Sequence, residues 1–211
     1  GDRLVLRVDG DGPAEGFSVE ASSDCSVRGW LFRSPIELDA SLSLEEFDAR
    51  SPFGSGTITL TRFNEGRPRP FVGTIELKTG RLAQALAEYY LASEQTRSAF
   101  DLGIEFDRRG RAVGAGGLFF QALPGADEEF LARVDAALPS LPSLGGYFAG
   151  GGSGADFLEA HLHDLFPEPL GERPAAFSCP CSRERFASSL RSATRDLLVD
   201  LGEKGPGPVE T

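Results

Sequence analysis

Apolar and polar positions alternate along the first part of the chain. In "RLVLRV", Arg3 to Val8, the residues Leu4, Leu6 and Val8 recur at every second position, the period of a half-buried strand. "DGDGP" is turn chemistry, and "GFSVEA" and "VRGWLF" read as short strands after it. "PIELDASLSLEEFDARSPFGSG" has weak periodicity and many turn formers. "GTITLTRF" alternates Ile58 and Leu60 with threonines, which favours β structure. "NEGRPRP" connects it to a return strand, "FVGTIEL", so the pair predicts a hairpin with a longer loop.

The period then changes. "TGRLAQALAEYYLASEQ" spaces Leu82, Leu86 and Tyr90 four residues apart, with Ala83 and Ala87 alongside, and predicts an amphipathic helix capped by Thr79. "FDLGIEF", the turn "DRRG" and "RAVGAGGLFFQAL" predict two more strands, the second opened by glycines that leave room for close backbone approach. "DEEFLARVDAAL" predicts a helix with Phe130, Leu131, Val134 and Leu138 on one face and an acidic first turn that suits the helix dipole. "PSLPSLGGYFAGGGSG", with two prolines and six glycines, reads as a loop or hinge. "SGADFLEAHLHDLFPEP" predicts a helix capped by Ser153, carrying Leu158, Leu162 and Leu165 inward and stopped by Pro167. "SRERFASSLRS" and "ATRDLLVDLG" predict two short helices, the second ended by Gly202, before an irregular tail.

These elements predict an α+β protein: a mainly antiparallel sheet core with packed helices over residues 1–122, a helical linker over 123–176, and a separate cysteine-bearing segment over 177–211. With 211 residues, 40% of them hydrophobic, the chain suffices for one sizeable domain and a small appendage. No run of about eighteen apolar residues suggests a membrane span, and the first residues lack a signal-peptide pattern. The chain holds no methionine, which implies residues in front of Gly1. A formal charge of −11 repels phosphate backbones, so nucleic acid is a poor partner.

Three cysteines are too few, and odd in number, for a secreted disulfide framework. A reducing cytosol fits better, and there a close pair binds metal or senses redox state. "FSCPCSRERF" supplies such a pair, Cys179 and Cys181, with Arg183 and Arg185 just after. One reading is two structural cysteines. The other is half of a tetrahedral zinc site, with Pro180 stiffening the bite and the arginines placing positive charge beside the thiolates. Zinc thiolate sites usually take two close pairs, and no second pair is present. His161 and His163, the only histidines, are two apart on a helix and point to different faces, so both read as helix-surface residues. Cys25 reads as a lone strand or turn residue. "GAGG" at Gly114 to Gly117 lacks the Lys-Ser/Thr of a phosphate loop, and "GGGSG" at Gly150 to Gly154 reads as linker. Glu45–Glu46 and Glu128–Glu129 are adjacent and read as solvated charge. No nucleophile, base and orienter assemble, so the sequence predicts no enzyme.

"YYLASEQTRSAF", "GAGGLFFQALPGA" and "FSCPCSRERF", with "GDGP" near the start, resemble the bacterial redox-regulated heat-shock holdase, the thirty-three-kilodalton chaperone family, in order and spacing over essentially the whole chain. The resemblance implies an ATP-independent chaperone of the cytoplasm that holds unfolded or aggregation-prone client proteins and forms a homodimer when active. It implies that Cys179 and Cys181 are the first of two cysteine pairs that bind one Zn²⁺ when reduced and form disulfides when oxidised. The second pair, a C-x-x-C further along, has no counterpart here, so residues 177–211 match part of the family's zinc and redox-switch domain. Zinc in this chain is then expected to be weak or absent. The competing expectation is a zinc-ribbon-like interaction module without redox switching.

Overall fold

Alternation sets Leu4, Leu6 and Val8 on one face of strand β1 (Arg3–Gly10), and the main sheet is built outward from it. The computed structural model describes residues 1–36, 52–78 and 80–204. They form two units, Gly1–Ala176 and a second that begins at Phe177. In the first, β1 pairs antiparallel with β2 (Gly16–Ser22) on one side and, on the other, with the strand "GTITLTRF". Strand β3 (Ser26–Leu31) continues the sheet beyond β2. "GTITLTRF" is β4 (Gly56–Phe63), and β5 (Phe71–Leu77) is its hairpin partner, as the sequence predicts. Most of "PIELDASLSLEEFDAR" lies outside the described residues.

Register brings the apolar residues together. Val8 stands opposite Phe17 and Ile58, Leu6 opposite Val19 and Leu60, and Ile58 opposite Ile75. Helix α1 (Leu82–Glu94) closes this face, and Val8, Ile58, Leu60, Leu77, Ala85, Leu86 and Tyr89 form its core. Burial of each large apolar side chain there stabilises the unit by roughly 1.5–3 kcal/mol. The predicted Leu82–Leu86–Tyr90 stripe is rotated: Leu86 is in the core, but Tyr89 is the buried tyrosine, 1% exposed. Gly73 explains the rotation, because a Cβ there would sit 2.6 Å from the Tyr89 ring. Tyr90 turns instead toward Phe100 and Phe119, at ring-centroid separations of 5.5 and 5.2 Å. Arg81 occupies the helix N-cap without a side-chain hydrogen bond. Thr79, expected as the cap, lies outside the described residues.

The opposite face of the sheet is polar. The Arg3 guanidinium lies over the Phe63 ring and Arg7 over Phe32, at 4.1 and 4.5 Å. Glu20 accepts from Arg28 at 2.7 Å and from Arg3 at 3.4 Å. Burial pushes the Glu20 carboxyl up, but the hydrogen bonds and charge of Arg28 and Arg3 outweigh it and hold it below the usual carboxylate range.

"FDLGIEF" and "RAVGAGGLFFQ" form β6 (Ser98–Phe106) and β7 (Ala112–Gln121), a second, two-stranded sheet. Their turn is organised by Asp107, which accepts from the amides of Arg109 and Arg111 and from the Arg111 guanidinium. Those bonds, the Arg111 amide first, hold its carboxyl below the usual range. One face of the hairpin is aromatic, with Phe100 and Phe119 stacked at 4.6 Å. The other carries Gly103, Gly114 and Gly116, since Gly103 stands opposite Gly116 and Glu105 opposite Gly114.

Against that glycine face lies a helix where the sequence predicts a loop. A 3-10 turn, Leu138–Ser140, leads into "PSLPSLGGYFAGGGSG", and within that stretch α3 (Leu144–Ala149) is an α-helix capped by Ser143. Gly145, within the stretch read as a loop or hinge, is what allows its backbone to reach the hairpin, since a Cβ there would lie 2.4 Å from the Ile104 carbonyl carbon. Before it, α2 (Glu128–Ala137) is capped by Asp127, which accepts from the Glu129 amide, and Arg97 pairs with Glu128 and Asp135. Of the predicted face Val134 is buried, while Phe130 stays 39% exposed. After α3, α4 (Gly154–Leu162) is capped by Ser153 as predicted, its hydroxyl accepting from the Asp156 amide at 3.1 Å. It buries Leu162 and Phe157; Leu158 and Leu165, expected inward, are half-buried. Tyr147 of α3 meets the Phe157 ring edge-on at 5.0 Å, which draws Phe157 into the cluster.

Candidate functional site

The cysteine segment is built on a capped helix. Ser182 is extended, with φ −146° and ψ 158°, and its hydroxyl accepts from the Arg185 amide at 3.2 Å to start α5 (Arg183–Arg191). Cys179 and Cys181 lie just before this N-terminus, and both are exposed thiols. The Arg185 guanidinium donates back to the Pro180 carbonyl at 3.5 Å, so its charge lies over the residue that separates the two cysteines. The Arg185 guanidinium and the N-terminus of α5 both bring positive charge to the position of the pair. Hydrogen bonds from its own amide and from the Ser182 hydroxyl hold the Glu184 carboxyl below the usual range.

The rest of the unit continues helical. Thr194 Oγ1 accepts from the Leu197 amide at 3.4 Å, and α6 (Arg195–Lys204) follows. It runs through Gly202, expected to end it; a glycine weakens a helix by about 1 kcal/mol and does not by itself stop one. No described residue after Phe177 is buried, and only Ala187 and Ala193 are half-buried. Phe186, Leu190, Leu197, Leu198, Val199 and Leu201 are exposed.

Zinc thiolate sites are tetrahedral and take four ligands. Cys179 and Cys181 offer two, and among the described residues no group of three or more His, Cys, Asp or Glu could hold a metal ion. The pair therefore fits half of such a donor set. His161 is surface-exposed on α4, its ring against Phe157 at 4.8 Å. His163 pairs with Asp164 at 3.2 Å in the 3-10 turn His163–Leu165. Cys25, half-buried with φ 66°, forms the β2–β3 turn, and its carbonyl accepts from the Ala176 amide at 3.1 Å. Ala176 opens the two-residue strand β8 (Ala176–Phe177).

The sequence reading did not pick out the apolar surface of the first unit. Val19, Val27 and Leu31 are more than a third exposed on the core-facing side of β2 and β3, beyond the reach of α1. Leu102, Ile104, Val113 and Phe119 are at least 40% exposed on the aromatic side of the β6–β7 hairpin. The signal was in the alternation, which puts these residues on one face per strand, without showing that a single helix covers part of that area. Among the described residues no helix is long and apolar enough to cross a membrane.

Comparison with known proteins agrees with this architecture. The family model described as Hsp33 protein matches residues 1–211. The 33 kDa chaperonin of Ruminiclostridium cellulolyticum is 32% identical over 206 residues, which cover 98% of this chain and 70% of that protein. Its counterpart in Desulforamulus reducens is 34% identical over 209 residues, covering 99% of this chain and 70% of that one. The crystal structure of the 33 kDa chaperonin from Thermotoga maritima, a heat shock protein 33 homolog, superimposes with a TM-score of 0.74 at 28% identity over 99% of this chain and 70% of its own. With its α+β fold of antiparallel sheets and packed helices, this chain belongs to the Hsp33 family of chaperones.

Proposed function

We propose that this chaperone is an ATP-independent holdase controlled by redox state through Cys179 and Cys181. It takes unfolding client proteins in the cytoplasm and pairs as a homodimer when active. Residues 1–122 act as the core, 123–176 as the linker, and the segment from 177 as part of the switch. The observation that supports this most is the contrast within the second unit: two exposed thiols beside positive charge, and no buried residue among those described. The described residues of this segment form no core to hold it, and its order depends on what its thiols bind. A metal bound there would contribute roughly 10 kcal/mol or more to the order of the segment. Cys179 and Cys181 would hold Zn²⁺, together with two further thiolates that this sequence does not contain.

Peroxide chemistry at the pair balances without another reagent. One thiol gives up its proton, and the thiolate attacks a peroxide oxygen and breaks the O–O bond, giving a sulfenic acid and a hydroxide that takes up that proton as water. The second thiol gives up its proton in the same way, its thiolate attacks that sulfur, the S–S bond forms as the S–O bond breaks, and the departing hydroxide takes the proton and leaves as a second water. Two thiols are oxidised and one peroxide is reduced. The ligands are thereby withdrawn from any metal, and order gives way to disorder. Exposed apolar surface then meets clients that themselves expose apolar residues.

Light scattering of a heat-denatured client tests the proposal. This chain is compared with a version extended by the C-x-x-C pair that the family resemblance implies, each with and without peroxide and with its zinc content measured. The expected result is suppression by the 211-residue chain without oxidant and little zinc in it. The extended chain should hold one zinc per chain and suppress only after oxidation. Inactivity of both under every condition, with zinc retained, would return the static interaction module to first place.

A further inference from the structure

Strand β3 lies at one end of the main sheet, and its register shows which backbone groups face outward. Just past it, Phe32 donates its amide to the Gly16 carbonyl at 3.0 Å, so Phe32 turns its polar backbone groups toward β2. In an antiparallel pair this alternates, and Trp30 and Arg28, opposite Ser18 and Glu20, do the same. The residues between them, Val27, Gly29 and Leu31, therefore point their amides and carbonyls away from the sheet. Cys25 continues that outward row. Its carbonyl accepts from the Ala176 amide at 3.1 Å, and among the described residues of the first unit only Ala176 extends the sheet on this side.

The side chains along this edge are apolar and exposed. Val27 and Leu31 lie on the core-facing side, with Val19 opposite Gly29 between them. On the other side Trp30 is 56% exposed. An exposed edge strand is a template for another chain, and proteins blunt it with proline, lysine or a bulge. Ser26–Leu31 contains neither proline nor lysine, and its pairing with β2 runs from Phe17 to Ala21 without a bulge. Its one charged residue, Arg28, is drawn back onto Glu20 at 2.7 Å. From Val27 to Leu31 the edge is about 13 Å long, the span of a strand of about five residues.

We infer that this edge binds an extended, alternately apolar segment of another polypeptide as an added β-strand. The guest backbone pairs with Val27, Gly29 and Leu31. Its apolar side chains lie on Val19, Val27 and Leu31, and its other face meets Trp30. Ala176 shows the kind of chain the edge accepts, an extended residue whose amide meets an outward carbonyl. Backbone pairing supplies affinity without reading sequence, and the side-chain rows ask only for apolar residues at alternate positions. A stretch exposed by an unfolding protein has that chemistry; its role as a client rests on the holdase reading above. The edge differs from a general apolar patch in one demand: the guest must be a strand with free amides along one side.

That demand supplies the test, and Trp30, the only tryptophan, supplies the signal. A heptapeptide capped at both ends, with three valines alternating with threonines, is titrated into the 211-residue chain while Trp30 fluorescence is followed. Two isomers are compared with it, one N-methylated at its valines and one at the threonines preceding them. They carry the same number of methyl groups, but a strand directs alternate amides to opposite edges. One isomer should bind like the parent peptide and the other at least about tenfold more weakly, because it loses the hydrogen bonds that face β3. Which isomer is lost gives the direction of the guest strand. Equal affinities of the two isomers, or no binding of the parent at millimolar concentration, would overturn the inference. Val27→Pro removes an amide that β2 does not use and should weaken the parent peptide to a similar degree, while Val27→Thr, which keeps that amide, should stay within about threefold. The isomer comparison uses the unaltered chain and decides the matter even if Val27→Pro does not fold. A dimer that Val27→Pro dissolves would give the edge to a second copy and overturn the inference too. Suppression of client aggregation is then measured with the parent peptide at saturation and is expected to be lost. Suppression left intact would overturn the edge as the site for clients and keep the holdase reading. Isomer-selective binding by a chain that suppresses no aggregation would uphold the strand site and remove the holdase reading.

Discussion

Helices α1 and α6 carry comparable apolar patterns and meet different fates. Helix α1, of 13 residues, buries Ala85, Leu86 and Tyr89 against a sheet. Helix α6, of 10 residues, has Leu197, Leu198, Val199 and Leu201 in the same kind of spacing, and all four are exposed. The difference shows that amphipathicity is a demand for a partner, and that the energy comes only where one is supplied. Strands β4 and β5 supply it for α1. In the second unit the local hydrogen bonds of Ser182, Ser189, Ser192 and Thr194 define the helices, and no core among the described residues secures them.

The sharpest way to break this comparison is amide exchange. Amides of β4 should open only with the whole unit, whereas those of α5 and α6 should exchange within about a hundredfold of a free chain in the absence of metal. Equal protection in both regions would mean that the second unit finds support of its own. Next in size is Ile58→Ala, which removes a fully buried side chain from the core and should cost about 3 kcal/mol in urea unfolding. Leu198→Ala, by contrast, should stay within about 0.5 kcal/mol, since its side chain is exposed. A large loss at Leu198 would show that α6 is packed.

A smaller effect follows from Glu20. Its carboxyl is held below the usual range, so the stabilisation is present above the unfolded value of about 4.3 and is lost as pH falls through the lower folded value. Thermal unfolding followed by Trp30, the only tryptophan, on the neighbouring strand, should show that loss in acid. Glu20→Gln should flatten it and cost about 1 kcal/mol at neutral pH. The smallest effect belongs to the second unit. Ser182→Ala removes the cap of α5 and should cost about 1 kcal/mol of local helix, visible as lost helical signal with no change in unfolding of the sheet.

The chain's own pattern settles much of this protein. Alternation in "RLVLRV" and "GTITLTRF" places Val8 and Ile58 in a sheet core, because successive side chains of a strand point to opposite faces whatever lies beyond. Ser153 and Asp127 mark helix starts, because a cap bonds to an amide two or three residues away. The C-x-C pair and its arginines are legible for the same reason of proximity. What tertiary structure decided involves residues far apart in sequence. Gly73 lets Tyr89 rather than Tyr90 enter the core. Gly103, Gly114 and Gly116 turn a glycine- and proline-rich stretch, locally a loop, into helix α3. A glycine read by itself signals conformational freedom; opposite another backbone, its missing side chain becomes space, and only the fold shows which of the two applies.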